Sequence, residues 1–244
     1  MTRPRPSKMK LLRPALALLA AMALGLPAST ALAEEEKSDE DQTGSLYVDY
    51  LVGVSHHPDG TLRGANRSSI GLFGKARPAP VGVFAGVGVG GYVTDAVRVE
   101  VQVGYRVSEV DRIRVQGESA FAKNSEMSLL SVTYNAYYDF DLSDHDIPVT
   151  PWLGLGIGWG MPRIDAENVD PTNPLQIDDT ASTMVYNFMG GLNYPLSEYA
   201  EIVLGYRYIA SLEFDVIGSE SGNQQRFEYE YGAHEGFTGL RFNF

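Results

Sequence analysis

The stretch from Val97 to Ser108 alternates without exception between apolar side chains and polar or small ones. The odd positions carry valine or tyrosine, and the even positions carry Arg98, Glu100, Gln102, Gly104, Arg106 and Ser108. Successive side chains of a β-strand point to opposite faces of the sheet, so this period of two predicts a strand with one apolar and one polar face. The length also suits a membrane, because a tilted strand crosses a bilayer in about 9 to 11 residues.

Seven other segments repeat this pattern with one apolar face. They cover residues 46–54, 81–89, 130–140, 149–159, 184–194, 200–210 and 238–244. Eight is an even number, as a closed antiparallel bacterial barrel requires. The sequence therefore predicts an all-β fold, an eight-stranded antiparallel up-and-down transmembrane β-barrel that occupies residues 44–244.

The connections between these segments alternate strictly between short and long. Residues 92–96, 141–148 and 195–199 are short, whereas residues 55–80, 109–126, 160–182 and 211–226 are long and rich in Gly, Pro, Asn and Asp. Outer-membrane barrels have short periplasmic turns and long extracellular loops, so we expect four exposed loops. A soluble barrel with apolar side chains inside is the alternative, but Arg98, Glu100, Glu201 and Arg207 among small residues favour a polar lumen.

The first residues are typical of an export signal. Five basic residues precede a short apolar stretch from Ala15 to Leu26, and Ala31-Leu32-Ala33 has the small-x-small pattern of a cleavage site. We therefore predict a cleaved signal peptide over 1–33 and a disordered acidic periplasmic lead-in over 34–43. Removing five basic residues from a chain of net charge −12 leaves −17, which argues against nucleic acid as a partner. The absence of cysteine excludes disulfides and thiolate metal sites.

The predicted inward face carries a nearly balanced set of charges. Its members are Asp49, Arg98, Glu100, Arg106, Asp139, Glu201, Arg207, Glu235 and Arg241. An eight-stranded barrel is just wide enough for side chains to fill it, and charges held there must be paired to be tolerated. We therefore expect a barrel-interior charge network that plugs the lumen, with an ion pathway as the alternative.

Two stretches of the chain resemble a known family. Val132-Thr133-Tyr134-Asn135-Ala136-Tyr137-Tyr138-Asp139-Phe140, followed by Thr150-Pro151-Trp152-Leu153-Gly154-Leu155-Gly156-Ile157-Gly158, is similar to the central hairpin of the opacity-type and surface-antigen family of outer-membrane barrels, which have an OmpA-like transmembrane barrel. The ending Gly239-Leu240-Arg241-Phe242-Asn243-Phe244 is similar to the closing strand of that family. The resemblance implies exterior loops that act as antigens or adhesive surfaces, and a C-terminal assembly signal at Phe242 and Phe244.

These observations together predict a structural, surface-interaction protein of the cell outer membrane, reached through the periplasm. The expected partners are outer-membrane lipid and lipopolysaccharide, the barrel-assembly machinery and an extracellular ligand that the sequence does not identify. We expect no catalytic residues, no cofactor and no metal. Narrow, porin-like passage of small or hydrophobic molecules is the first alternative, and a lipid-modifying outer-membrane enzyme is the second.

Three smaller features support further hypotheses. A catalytic arrangement of Ser55, His56 or His234, and Glu235 would suit the lipid-modifying enzyme, although solvated loop histidines are the simpler interpretation. The third long segment holds a set of acids that would suit a divalent cation, although their spacing does not match an EF-hand loop: Asp165, Glu167, Asp170, Asp178 and Asp179. The first long segment has a basic set that would meet lipid phosphates or a polyanion: Arg63, Arg67, Lys75 and Arg77.

Overall fold

All eight alternating segments lie in β-strands of the computed structural model. These strands are β1 (Leu46–His56), β4 (Gly82–Thr94), β5 (Val97–Val115), β7 (Glu126–Asp139), β8 (Thr150–Glu167), β10 (Thr183–Ser197), β11 (Ala200–Ser211) and β14 (Gly232–Asn243). Six shorter strands lie between them: β2 (Gly60–Gly64), β3 (Phe73–Pro78), β6 (Glu118–Phe121), β9 (Leu175–Thr180), β12 (Phe214–Glu220) and β13 (Asn223–Tyr229).

The structure describes residues 43–58, 60–64, 73–78, 81–115, 118–121, 126–142, 148–167, 175–220 and 223–244. Within these ranges only the backbone is described at 60–64, 73–78, 110–115, 118–121, 166–167, 175–176, 220, 223 and 225. The predicted signal peptide and nearly all of the acidic lead-in lie outside the described residues, so both stay predictions.

The eight long strands pair in sequence order and the last pairs with the first, so the sheet closes into an antiparallel barrel. Following the register once around the ring from His56 returns to the same strand at Leu46, ten residues away. Eight strands with this stagger tilt by about 40° to the barrel axis. The predicted fold class is confirmed.

The outward face of the barrel is apolar, as the alternation predicts. Val99, Leu155 and Phe188 are 47%, 60% and 58% exposed, while their inward neighbours Arg98 and Trp152 are almost completely buried. A water-soluble barrel has the opposite arrangement, so this surface requires a surrounding of lipid. No helix in the described ranges combines the length and the apolarity needed to span a bilayer.

The four long segments are not simple loops, and on this point the expectation from sequence was wrong. β5 and β8 continue to Val115 and Glu167, and the six shorter strands pair with these extensions or with one another. This continuation of the sheet is called the crown. It comprises residues 60–64, 73–78, 109–115, 118–121, 126–129, 161–167, 175–183, 212–220 and 223–231. It lies at the end opposite the short turns, which in outer-membrane barrels is the extracellular end.

Candidate functional site

Four arginines occupy the barrel interior, and each is at most 1% exposed. Arg98 and Arg106 come from β5, Arg207 from β11 and Arg241 from β14. They lie inside because they share the parity of the strand's polar face. A guanidinium in such an interior is tolerated only with anionic partners. The positions of the carboxylates therefore decide whether the charges of the lumen are paired.

Two of these arginines lie toward the periplasmic end. Arg241 holds Asp49 through two parallel hydrogen bonds of 2.9 Å, from Nε to Oδ1 and from Nη2 to Oδ2. Its Nη1 lies 3.7 Å from Oε2 of Glu201. The other oxygen of that carboxylate, Oε1, accepts a hydrogen bond from the side-chain amide of Asn243 at 3.0 Å. The two parallel bonds fix both position and orientation, because a guanidinium matches a carboxylate in plane.

Arg98 is held on the neighbouring part of the wall. Its Nε donates to both oxygens of Asp139, at 3.2 Å and 3.0 Å, and its Nη1 donates to the Tyr47 hydroxyl at 3.2 Å. The guanidinium carbon lies 3.9 Å from the ring centroid of Tyr137. Arg98 is therefore both neutralised and packed against an aromatic face.

The extracellular half of the lumen contains a different arrangement, in which two arginines share one carboxylate. Glu235 accepts from Nε of Arg106 at 2.5 Å and from Nε of Arg207 at 2.6 Å. Arg106 also donates from Nη1 to the hydroxyl of Ser131 at 2.9 Å. This group of three carries one surplus positive charge.

Glu100 is linked to this group through a neutral side chain. Arg207 donates to Oε1 of Gln102 at 2.5 Å, and the Gln102 amide in turn donates to Oε1 of Glu100 at 3.0 Å. The same carboxylate oxygen accepts from Asn135 at 3.2 Å and from the Tyr137 hydroxyl at 2.9 Å. The other oxygen of Glu100 has no hydrogen-bond partner in the described part of the chain.

Two glycines make the close approaches of these polar groups possible. A Cβ at Gly156 would lie 2.0 Å from Oδ1 of Asn135 and 2.9 Å from the Asn187 amide, whose nitrogen donates to that same oxygen. A Cβ at Gly88 would lie 2.6 Å from the carboxyl carbon of Glu100. Larger residues would therefore collide with the network at both positions.

Aromatic and apolar side chains fill the space between these charges. The buried set consists of Leu51, Phe84, Tyr137, Trp152, Met189, Val203 and Phe237. Phe84 lies against two guanidinium groups. Its ring centroid is 4.8 Å from the guanidinium carbon of Arg106 and 4.3 Å from that of Arg207. The lumen is thus filled by side chains over the height of the membrane, as expected for a barrel of this size.

The structure brings all nine predicted interior charges into hydrogen-bond or ion-pair contacts, with Glu201 the least buried. Sequence reasoning did not single out Gln102, Asn135 or the hydroxyls of Tyr47, Tyr92 and Tyr137, although each shares the inward parity. The alternation within each strand places these residues on the inward face, so the sequence pattern could have indicated them. Their role as a link between the two halves depends on register, which the sequence does not provide.

The catalytic arrangement considered from the sequence is not formed. Ser55 points inward and lies 3.3 Å from Nε2 of His57, whereas His56 and His234 are on the exposed outer face. Nδ1 of His234 lies 2.6 Å from the Tyr206 hydroxyl, and Glu235 is bound to the two arginines. The strand parity explains the outcome, because adjacent residues of a strand cannot face the same side.

The crown has its own packed interior, which is apolar. The buried cluster consists of Met127, Leu129, Ile164, Ile177, Val185, Ile209, Phe214, Val216, Phe227, Tyr229, Tyr231 and Ala233. The Tyr229 hydroxyl contacts Sδ of Met127 at 3.6 Å within it. Crown side chains of inward parity therefore form an ordinary hydrophobic core, together with Val185, Ile209 and Ala233 at the adjoining ends of β10, β11 and β14.

Acidic residues form a row on the outer face of the crown. Glu109, Glu126, Asp165 and Asp178 are register partners across β5, β7, β8 and β9. Burial, together with the charges of Asp165 and Glu109, raises the pKa of Glu126. Like charges directly opposite in a sheet are destabilising, and only Arg163, 3.2 Å from Asp178, offsets them within the described row.

The divalent-cation site considered from the sequence stays a prediction, because the side chains of two of its five acids are not described. In the ranges that the structure describes, no group of three or more His, Asp or Glu residues is arranged to hold a metal ion. Asp170 and the side chain of Glu167 lie outside the described residues, as do the side chains of the basic set Arg63, Arg67, Lys75 and Arg77. Phe244 is 63% exposed on the outward face, and its role in assembly stays a prediction.

A closed barrel with an apolar exterior and a charge-paired interior defines an integral outer-membrane protein. The family model described as "Outer membrane protein beta-barrel domain" matches residues 16–237, and the chain belongs to that family. The protein therefore resides in the cell outer membrane.

Two solved structures of outer-membrane proteins are similar to this chain in fold. The outer membrane protein OprG from Pseudomonas aeruginosa has a TM-score of 0.55 at 13% identity, with 83% of this chain and 97% of that chain covered. The outer membrane protease OmpT from Escherichia coli has a TM-score of 0.51 at 8% identity, with coverages of 85% and 99%. At these identities the likeness concerns the fold alone.

An uncharacterized protein of Brucella abortus is 28% identical over 178 residues, which covers 65% of this chain. The chain spans 61% of the length of the curated relatives that it matches.

Proposed function

We propose that this protein is a non-conducting barrel that anchors a structured crown at the cell surface, where the crown contacts an extracellular ligand. The observation that carries the proposal is the contrast inside the molecule. The membrane-spanning lumen is filled by paired charges and aromatic rings, whereas the crown folds around an apolar core and presents a β-sheet to the exterior. A sealed lumen leaves the exposed sheet as the part that acts.

The sealed lumen is tested by electrical recording. Purified protein reconstituted in planar bilayers is expected to give no stable open channel. Replacing Phe84 and Phe237 by Ala, which empties the layer between the arginines, is expected to raise conductance in the same assay. A stable channel in the unaltered protein would refute the sealed lumen.

The surface role is tested by removing part of the crown. The hairpin of β12 and β13 is exchanged for a short turn, and the variant is displayed on a non-adhesive bacterium beside the unaltered protein. Adhesion to immobilised host-cell surface is expected to fall at least about tenfold, the equivalent of about 1.4 kcal/mol in binding. Substituting the exposed Tyr199 in a short turn serves as the control, because that end faces the periplasm. Unchanged adhesion of the trimmed variant at equal surface level counts against the proposal.

A second candidate function, entry of small hydrophobic molecules, is favoured by an interruption in the wall of the crown. The ladder of β10 and β11 ends at Leu212, whose amide donates to the Met184 carbonyl at 2.9 Å, and pairing resumes only at Gly218 and Ile177. Between these points the Asp179 carboxylate bridges the two edges by accepting from the Ile217 amide at 2.8 Å. The apolar core of the crown lies behind this bridge.

This second function predicts a gain when the bridge is removed. Asp179→Ala is expected to increase uptake of a small fluorescent alkane-like probe by cells that carry the protein. Asp178→Ala is the matched control, because this neighbouring acid is exposed and bonded to Arg163 instead. Equal uptake by the two variants would refute entry of small hydrophobic molecules at this interruption. The surface role would then be the better proposal.

A further inference from the structure

His57 occupies a second place where the sheet is interrupted. The ladder between β1 and β14 ends at His56 and His234, and β2 and β13 pair again only at Arg63 with Glu228 and at Gly64 with Phe227. Among the residues that the structure describes, no backbone pair joins 57–58 or 60–62 to 229–233. We call this interval the His57 seam.

The side chain of His57 fills the seam and is almost completely buried, at 4% exposed. Nδ1 lies 3.2 Å from the Gly232 carbonyl, and Nε2 lies 3.3 Å from Oγ of Ser55. The ring also meets Tyr231 edge-on, with centroids 5.2 Å apart. One imidazole therefore ties the end of β1 to the segment that enters β14.

These contacts fix the tautomer of a neutral His57 ring. A carbonyl only accepts hydrogen bonds, so Nδ1 carries a proton and donates to Gly232. In a neutral imidazole Nε2 is then an acceptor, and the Ser55 hydroxyl donates to it. The seam is satisfied by neutral His57 with a single tautomer.

A proton added to His57 keeps the bond from Nδ1 to the Gly232 carbonyl, but it disturbs the contact with Ser55 and puts a charge into the seam. Nε2 becomes a donor, so the Ser55 hydroxyl has to reverse and its own hydrogen loses its acceptor. The new charge is buried beside Tyr231, with the Arg106 cation opposing it, Glu235 attracting it and His56 adjacent along the chain. Burial is the largest influence and lowers the pKa of His57.

We infer that His57 is an acid-sensitive latch that holds the crown to the barrel along the His57 seam and releases it when the ring is protonated. The sign follows from linkage. A histidine with a lowered pKa in the folded state stabilises the fold above its ordinary pKa, and that contribution is lost as the pH falls through the lowered value. The seam is closed at neutral pH and opens at a pH below the ordinary histidine pKa.

Because the chain contains no cysteine, a distance across the seam can be measured with two introduced labels. Pro58→Cys and Glu230→Cys place spin labels at exposed positions on the two sides. The protein is reconstituted in lipid nanodiscs, and pulsed electron resonance records the label distance between about pH 7.5 and about pH 5, across the ordinary histidine pKa. The distance distribution is expected to lengthen and broaden as the pH falls.

Two further variants make the result specific. His57→Gln keeps one donor and one acceptor without titrating, and it is expected to abolish the pH response. His234→Gln removes a histidine from the outer face and is expected to leave the response intact. The acidic row is present in every variant, so its titration contributes equally to all of them.

An unchanged distance distribution in the parent protein over this range would overturn the inference, and so would a full response in His57→Gln. If His57→Gln fails to fold, nitrogen NMR of the parent protein decides the matter. It is expected to show a neutral His57 ring protonated on Nδ1 at neutral pH, and a charged ring or the opposite tautomer would contradict the latch.

Discussion

The membrane-spanning barrel and the crown are built from one continuous sheet, yet they have opposite polarity. Along β8 the outward residues are Leu155, Ile157 and Trp159 within the barrel, but Arg163 and Asp165 in the crown. The inward face changes in the reverse sense, from charges and glycines to an apolar core. The polarity of the outward residues of β8 thus changes where the surroundings of the strand change from lipid to water.

In each region the polar groups lie where they cost the least free energy. In lipid, only apolar side chains can face outward, so the charges accumulate inside and must be paired. In water the ordinary arrangement returns, because burying apolar surface is favourable there. The barrel interior therefore depends on ion pairs for its stability, and the crown depends on a hydrophobic core.

The largest expected effect comes from breaking the shared carboxylate of the lumen. Glu235→Gln leaves Arg106 and Arg207 buried together without their anion, and we expect a loss of about 3 to 5 kcal/mol in the free energy of unfolding. Urea unfolding in micelles measures it. Asp215→Asn is the control, because its partner Arg226 is exposed and such pairs contribute at most about 1 kcal/mol. Equal losses in the two variants would mean that the lumen does not depend on its charges.

A core substitution is expected to separate the crown from the barrel. Phe227→Ala creates a cavity in the apolar cluster of the crown, at a cost of about 3 to 5 kcal/mol. We expect proteases to cleave the crown while the membrane-spanning part stays protected. Phe237→Ala, in the lumen, is expected to leave crown cleavage unchanged. Simultaneous loss of both regions in Phe227→Ala would show that they are not independent.

A substitution on the outer face of the crown is expected to change stability less, and to increase it rather than lower it. Burial and two neighbouring carboxylates raise the pKa of Glu126. For an acid with a raised pKa in the folded state, the stabilising contribution exists at low pH and is lost as the pH rises through that value. Glu126→Gln is therefore expected to increase the melting temperature at neutral pH, with no gain at pH values where the carboxyl is protonated. A decrease at neutral pH would contradict the repulsion within the row.

The barrel was predictable from the sequence because lipid imposes a simple rule. The outward residues of a spanning strand are predominantly apolar, so the period of two is visible in single segments such as Val97–Ser108. The interior pairs were predictable as a set, since inward charges in a narrow lumen must neutralise one another. The particular carboxylate that pairs with each arginine was not predictable, because the bond between Arg207 and Glu235, for example, depends on the register of two strands.

The crown was not predictable in the same way, and the polarity inversion gives the reason. Beyond Met161 the apolar positions of β8 move from odd to even numbers, as at Ile164. Glycine, proline and acidic residues around this phase change look like a loop. The short strands also pair with distant segments, as β9 does with β12, and no local pattern indicates such pairing.

The central claim, that one sheet inverts its polarity at the membrane surface, is tested most directly by a cysteine scan along β8. Single cysteines at 155, 157, 159, 163 and 165, all outward positions, are introduced into the cysteine-free chain and reconstituted in nanodiscs. The account predicts that a water-soluble, membrane-impermeant thiol reagent labels 163 and 165 rapidly and leaves 155, 157 and 159 unlabelled. Uniform labelling of all five, or protection of 165 together with labelling of 157, would contradict it.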